Sequence, residues 1–193
     1  LKYSKEKKTY NRCTGINPIT RDGKKIFAYE LLSKFKKNFD YFILPVGDGN
    51  ILSGCIKGFL ELNKLNFLKK IPKVIGVQSA SSPSFYNQFS NKILEPKKYR
   101  ANSVCDSINV DYPLDGYIAY KYLKKINGEM ALAKDTDIIS SKKYLLTKFG
   151  INCCAASAST FSILKNLIKK NNLKNKKILL LLTGTGFKDL NNS

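Results

Sequence analysis

Tyr41-Phe42-Ile43-Leu44-Pro45-Val46, followed at once by Gly47-Asp48-Gly49-Asn50-Ile51-Leu52-Ser53-Gly54, is the stretch on which the fold turns. Five apolar residues and a proline, closed by a glycine turn, have the length and content of a strand buried on both faces. Beyond the turn, Ile51, Cys55, Phe59 and Leu62 recur at the spacing of one helix face. A buried strand running through glycines into an amphipathic helix is the first half of a β-α unit. Three further apolar runs, residues 73–77, 130–133 and 177–182, repeat the strand signature. Helix-length segments at 26–39, 51–68, 138–149 and 156–168 alternate with them, Asp135 standing where an N-cap is expected and Gly150 where a helix stops. Such alternation predicts an α/β fold, a parallel sheet flanked by helices on both faces.

Composition narrows the field of functions. A length of 193 residues with 43% apolar content suits one globular domain or a large piece of a two-domain protein, and excludes a disordered tail or a disulfide miniprotein. The longest apolar run, 178–182, is far short of the roughly 18 residues a membrane span requires, so no membrane partner is expected. The chain opens on Leu1 and a lysine-rich stretch, which reads as a fragment without a secretory leader.

Lys and Arg number 34 against 14 Asp and Glu, a net charge of +20 that invites a nucleic-acid reading. The lysines, however, are scattered as pairs along the whole chain, and Arg12, Arg21 and Arg100 are the only arginines. Nucleic-acid surfaces favour arginine's fork and gather charge on one face, so no nucleic-acid partner is expected. Histidine is absent, which removes Ser-His and Cys-His nucleophilic mechanisms and the commonest metal ligand. Five irregularly spaced cysteines, two of them adjacent, fit neither a disulfide framework nor a zinc site. The expected compartment is reducing, the cytoplasm.

Two glycine-rich strand ends carry the chemistry. After the first strand, Gly47, Asp48, Gly49, Asn50 and Ile51 lead into a helix, where main-chain N–H groups and the helix dipole favour an anion such as a phosphate. The spacing fits neither a dinucleotide fingerprint nor a P-loop, since Cys55-Ile56 stands where Lys-Ser/Thr belongs. A turn whose glycines serve only a positive φ is the competing reading. After the last strand comes Leu181-Leu182-Thr183-Gly184-Thr185-Gly186-Phe187-Lys188-Asp189, on the same edge of a parallel sheet, where two such ends can meet one ligand. The turn-rich zone at 79–84 lies on that edge as well.

In order and spacing these segments resemble pyridoxal-phosphate enzymes of the tryptophan synthase β-subunit type, fold type II, and within it the threonine synthase family. The resemblance runs nearly end to end. It takes in Tyr10-Asn11-Arg12, Thr14-Gly15-Ile16-Asn17-Pro18, Asp22-Gly23-Lys24-Lys25, the Pro45–Gly49 loop with Lys57-Gly58-Phe59, Pro72-Lys73-Val74-Ile75-Gly76-Val77-Gln78, Asp106-Ser107-Ile108 and Thr183–Asp189. It implies pyridoxal 5'-phosphate as cofactor, its phosphate held by the amides of Gly47, Asp48, Gly49, Asn50 and Ile51, and its pyridine nitrogen hydrogen-bonded by Thr183. The implied reaction converts O-phosphohomoserine and water to threonine and phosphate.

Departures from the family pattern matter equally. The family's Schiff-base lysine lies in a Ser-Phe-Lys-Asp-type segment upstream of anything matched here. Phe187-Lys188-Asp189 belongs instead to the C-terminal signature, so Lys188 reads as a solvated charge and this chain holds no catalytic residue. The resemblance therefore implies a partial, C-terminal portion: residues 1–40 linking to the missing part and 41–193 forming the cofactor-binding domain, with an N-terminal half or a homodimer partner. Thr14-Gly15 replaces an Asn-Ser pair that meets the substrate phosphate, and Arg21 stands one position from the arginine expected beside it. Cys153-Cys154-Ala155-Ala156-Ser157 replaces a Glu-Pro-Ala segment, Cys154 reading as a packing cysteine. These changes leave open a related dehydratase or ammonia-lyase, or a non-catalytic remnant that keeps only the phosphate cradle.

Overall fold

The computed structural model describes residues 2–35, 39–171, 173 and 175–189. Its centre is one four-stranded sheet formed by β1 (Tyr41–Pro45), β2 (Lys73–Ser79), β3 (Glu129–Ala133) and β4 (Ile178–Leu180), in the order β3-β2-β1-β4. Every pairing is parallel: Tyr41 lies opposite Lys73 and Ile178, and Ile75 opposite Glu129. The helices are α1 (Lys2–Glu6), α2 (Pro18–Lys24), α3 (Ile26–Phe35), α4 (Asn50–Lys64), α5 (Ser84–Ser90), α6 (Gly116–Lys125), α7 (Asp135–Phe149), α8 (Ala155–Ser162) and α9 (Leu164–Asn171).

Alternate strand residues feed two cores. Phe42, Leu44, Val46 and Val74 pack with α3, α4 and α6, where the Phe42 ring stacks on Phe27 at 5.5 Å and meets Phe59 edge-on at 5.4 Å. Ile43, Ile75 and Val77 point the other way, into α7, α8 and α9. Each such side chain, wholly removed from water, contributes about 1.5–3 kcal/mol. This two-sided burial is why β1 and β2 read as unbroken apolar runs rather than alternating ones.

The four expected strands all form, and the differences lie in the helices. α4 ends at Lys64, and Asn66 adopts a left-handed φ of 60° just beyond. The segment expected at 26–39 is helical through Phe35, while residues 36–38 fall outside the described residues. The one expected at 156–168 is broken at Ile163 into α8 and α9. Asp135 is not the N-cap of α7 but its first residue, Lys134 taking the cap position. The Asp135 carboxylate turns away to accept from Ser79 Oγ at 2.5 Å and Ser103 Oγ at 3.0 Å, bracing the 79–84 and 102–105 loops. Gly150 does stop the helix: its φ is +67°, and its N–H and that of Ile151 close on Leu146 and Leu145. The short helices α1, α2 and α5 and the longer α6 lie outside the expected segments; the buried positions of α6 are filled by Gly116, Ala119, Tyr120 and Leu123, a weak apolar signal.

Candidate functional site

β1 is the pivot of the topology. The chain first adds β2 and β3 on one side of it and only later β4 on the other, so connections leave the C-terminal ends of β1 and β4 in opposite directions and open a crevice. A cavity of about 420 Å³ sits there, walled by Gly47, Asp48 and Ile51 from one side and by Thr183 and Gly184 from the other. Wider surface depressions beside Tyr120 and beside Tyr144, about 540 and 750 Å³, lie away from the C-terminal strand ends, the first against the start of β3 at Glu129 and Met130 and the second on the flank of α7.

The first wall is shaped by Gly49, the N-cap of the 15-residue α4, at φ +94° and ψ −9°. A Cβ on it would stand 2.8 Å from the Cβ of Ala119 in α6, so left-handed backbone and close packing both demand glycine. The N–H groups of Gly47, Asp48 and Gly49 donate to no described group, and the first turn of α4 adds further free amides. The N–H of Asn50 differs, for it donates to Asp48 Oδ1 at 2.9 Å. Asn50 lies behind the wall, 1% exposed, its Nδ2 donating to the Thr14 carbonyl at 2.8 Å and its Oδ1 accepting from Lys24 Nζ at 2.5 Å. Of the residues singled out in the sequence, then, Gly47, Asp48, Ile51 and Thr183 line the cavity, Gly49 turns the loop with its own N–H left free, and Asn50 supports the wall from behind.

The loop is clamped from a second direction. Asp115, 2% exposed, donates its N–H to the Asp48 carbonyl at 3.0 Å and accepts at its carboxylate from Arg21 Nε at 3.1 Å, from Arg21 Nη2 and from Ser53 Oγ. Arg21, the residue set beside the family's substrate arginine, is thus committed to a buried ion pair, and its hydrogen bond to Asp115 raises the guanidinium pKa further. The cations that do line the cavity are Lys24 and Lys188, against the single carboxylate Asp48. Sequence reading missed Lys24, whose only signal was its place in Asp22-Gly23-Lys24-Lys25, and it missed Asp115 altogether.

On the second wall, Leu181 extends β4 by donating to the Ile43 carbonyl at 2.9 Å, after which Thr183 and Gly184 turn across the N-terminus of α8. Cys153 and Thr185 form an antiparallel bridge, and the Cys154 N–H meets the Gly184 carbonyl at 2.9 Å. Asp189 secures the end of the motif by accepting from the Ala155 N–H at 2.9 Å and pairing with Lys142 at 2.5 Å. Cys154 lines the cavity but is only 3% exposed. Nearby, burial pushes the Cys105 thiol up to about 12. Among the described residues no cluster of side chains could hold a metal ion, and no helix is long and apolar enough to cross a membrane.

Residues 1–184 match the family described as pyridoxal-phosphate dependent enzyme, and the chain belongs to that family. Among curated relatives it is 27% identical to the threonine synthase of Methanocaldococcus jannaschii, the match covering 96% of this chain and 46% of that protein. It is 25% identical to the threonine synthase of Synechocystis, over 90% of this chain and 44% of the relative. Among solved structures, the processed form of threonine deaminase isoform 2 from Solanum lycopersicum superposes over 100% of this chain and 54% of that one, at a TM-score of 0.82 and 16% identity. Serine racemase from Dictyostelium discoideum gives a TM-score of 0.70 at 22% identity, over 88% of this chain and 50% of that one. These neighbours establish the fold of type II pyridoxal-phosphate enzymes. The chain spans about half the length of the curated relatives it matches.

The residues present fit that cofactor. Free amides at a helix start suit its phosphate, and a Cβ at Gly47 would come within 3.2 Å of the Ile108 Cα and 3.3 Å of Val110 Cγ2, so the cradle leaves little room for a side chain.

Proposed function

We propose that this chain is the cofactor-cradling part of a threonine-synthase-type enzyme, which converts O-phosphohomoserine and water to threonine and phosphate. The observation that carries the reading is the convergence of the 47–51 loop and Thr183 on one cavity at the switch point between β1 and β4. When bound, pyridoxal phosphate draws electrons from the α-carbon of an amino acid. In this reading the N–H groups of Gly47, Asp48, Gly49 and Ile51 hold its phosphate, and Asn50 braces their loop from behind. The Thr183 hydroxyl hydrogen-bonds the ring nitrogen; being neutral, it leaves the ring a milder electron sink than a carboxylate would. Lys24 meets the anionic group of a phosphorylated amino-acid substrate, a task for which Arg21 is not available.

The lysine that carries the cofactor covalently belongs, in the same reading, to a segment outside this chain. Residues 1–40 lead from that segment and 41–193 form the C-terminal domain, completed by an N-terminal half or within a homodimer in the cytoplasm.

Incubating the full-length protein with O-phosphohomoserine and measuring phosphate and threonine tests the proposal, Lys24→Met being expected to raise KM about tenfold or more, as for loss of a charged hydrogen bond. Ammonia and a 2-oxo acid from threonine or serine, with no phosphate release, would instead favour the dehydratase or ammonia-lyase reading, which the engagement of Arg21 by Asp115 supports. Cofactor binding with no turnover of any of these substrates would leave a binding remnant.

A further inference from the structure

Four hydroxyl side chains lie on α8, and three behave as buried helix hydroxyls usually do, bonding back one turn. Ser159 donates to the Ala156 carbonyl at 2.6 Å, Thr160 to Ser157 at 2.8 Å and Ser162 to Ser159 at 2.7 Å. Ser157 breaks the pattern. Fully buried at 0% exposure, it reaches out of the helix, and its Oγ accepts the N–H of Thr183 at 2.9 Å and that of Gly184 at 3.1 Å. With both lone pairs so used, its proton is left for the Gly184 carbonyl at 3.4 Å or the Cys154 sulfur at 3.3 Å.

Thr183 needs such a tether. The register of β4 with β1 ends at Leu180 opposite Ile43, and the ladder closes with the Leu181 N–H. Thr183 is the first residue past it to stand exposed on the cavity wall. A single buried oxygen therefore replaces two ladder hydrogen bonds just where the chain leaves the sheet. Because both amides flank the Thr183 carbonyl, they fix the backbone from which its hydroxyl projects.

We propose that Ser157 is a positioning residue, whose hydroxyl sets the placement of the Thr183 side chain in the cavity without itself touching a ligand. The proposal rests on the reading that Thr183 meets the cofactor's ring nitrogen. A displacement of about 1 Å in such a group costs on the order of 10²-fold in rate, which gives an internal anchor of this kind its purpose.

Amide hydrogen exchange on the full-length protein, with Ser157→Ala, Ser159→Ala as control, and Thr183→Ala, tests it. Ser157→Ala should speed exchange at Thr183 and Gly184 by about tenfold or more, leave β1 and β2 unaffected, and weaken pyridoxal-phosphate binding followed by cofactor fluorescence. Ser159→Ala should do none of these. In the Thr183→Ala background Ser157→Ala should weaken cofactor binding no further, since the two act through one hydroxyl. Wild-type exchange at Thr183 and Gly184 in a cooperatively melting Ser157→Ala protein overturns the proposal. If that variant does not fold, Ser157→Cys, whose thiol accepts more weakly, should show the same local acceleration, and its absence overturns the proposal equally. Faster exchange in Ser157→Ala, together with unchanged cofactor affinity in Thr183→Ala, would uphold the tether and remove Thr183 from the cofactor.

Discussion

Replacing Gly49 by valine puts a branched side chain where the backbone sits at φ +94° and where a Cβ would lie 2.8 Å from the buried Cβ of Ala119. The left-handed conformation alone costs an ordinary residue roughly 1–2 kcal/mol. Forcing a methyl-sized group against α6 adds about 1–3 kcal/mol of overpacking, because both helices are fixed by the core between them. The sum, about 2–5 kcal/mol, is a large share of the roughly 5–15 kcal/mol that holds a typical domain. In urea unfolding the midpoint should fall with an unchanged slope. Gly49→Ala shares the φ and the first clash and should lose at least half as much. Gly23→Ala makes the opposite control, since a Cβ there meets nothing within 4 Å; lying in α2, it should stabilise by up to about 1 kcal/mol. Because the strained turn aims the amides of Gly47, Asp48 and Gly49, pyridoxal-phosphate affinity of the full-length protein should drop in the valine variant as well. An unchanged urea midpoint would refute the strain argument, and an unchanged affinity would refute the assignment of the loop to the cofactor phosphate.

Arg21→Met leaves Asp115 charged and buried without its partner, and should cost about 3–5 kcal/mol in denaturant unfolding; a loss under 1 kcal/mol would mean the pair does not clamp the loop. Thiol titration of the native protein at pH 8 should find Cys13 fast and the other four cysteines slow, since Cys13 alone is exposed and burial holds Cys55 and Cys105 near 12; a second fast thiol contradicts this. Asp22, hydrogen-bonded by Lys57, and Asp40, hydrogen-bonded by the Lys177 N–H, both titrate below the ordinary aspartate value of 3.8. Their contribution is thus complete above that value and lost as pH falls through their lowered values, so the urea midpoint should be flat from about pH 7 to 5 and decline below about pH 4, and a rise on acidification would contradict it. Duplex DNA should bind weakly at 50 mM salt and negligibly near physiological salt, whereas tight, sequence-selective binding at the higher salt would restore a nucleic-acid role.

What the sequence made legible were the parts governed by local chemistry. Residues 41–46 announce a two-sided strand because nothing polar interrupts them, and Gly47 and Gly49 announce a turn because few other residues can make it. α6 escaped because its core face is Gly116, Ala119, Tyr120 and Leu123, of which Leu123 alone is strongly apolar. The break at Ile163 was hidden by an apolar spacing that continues across both α8 and α9. The site's supports were out of reach for another reason. Arg21 and Asp115 are 94 positions apart, and Ser157 meets Thr183 across 26, so neither partner bears any local mark of the other. Lys24 looked like one lysine among many until the fold set it against Asn50.

The order of strands has a consequence for how the site comes into being. β1 and its glycine turn are made well before β4, and the opposite wall arrives only when β4 docks, joined to the start of β1 by contacts such as that of the Lys177 N–H with Asp40 across 137 residues. Closing so long a loop is slow and entropically costly compared with zipping a neighbouring β-α unit. During synthesis, then, a nascent chain can assemble β1, β2 and β3 with their helices and still present only half a cavity. Completion of the cavity is thereby tied to the last long-range event in the folding of the sheet.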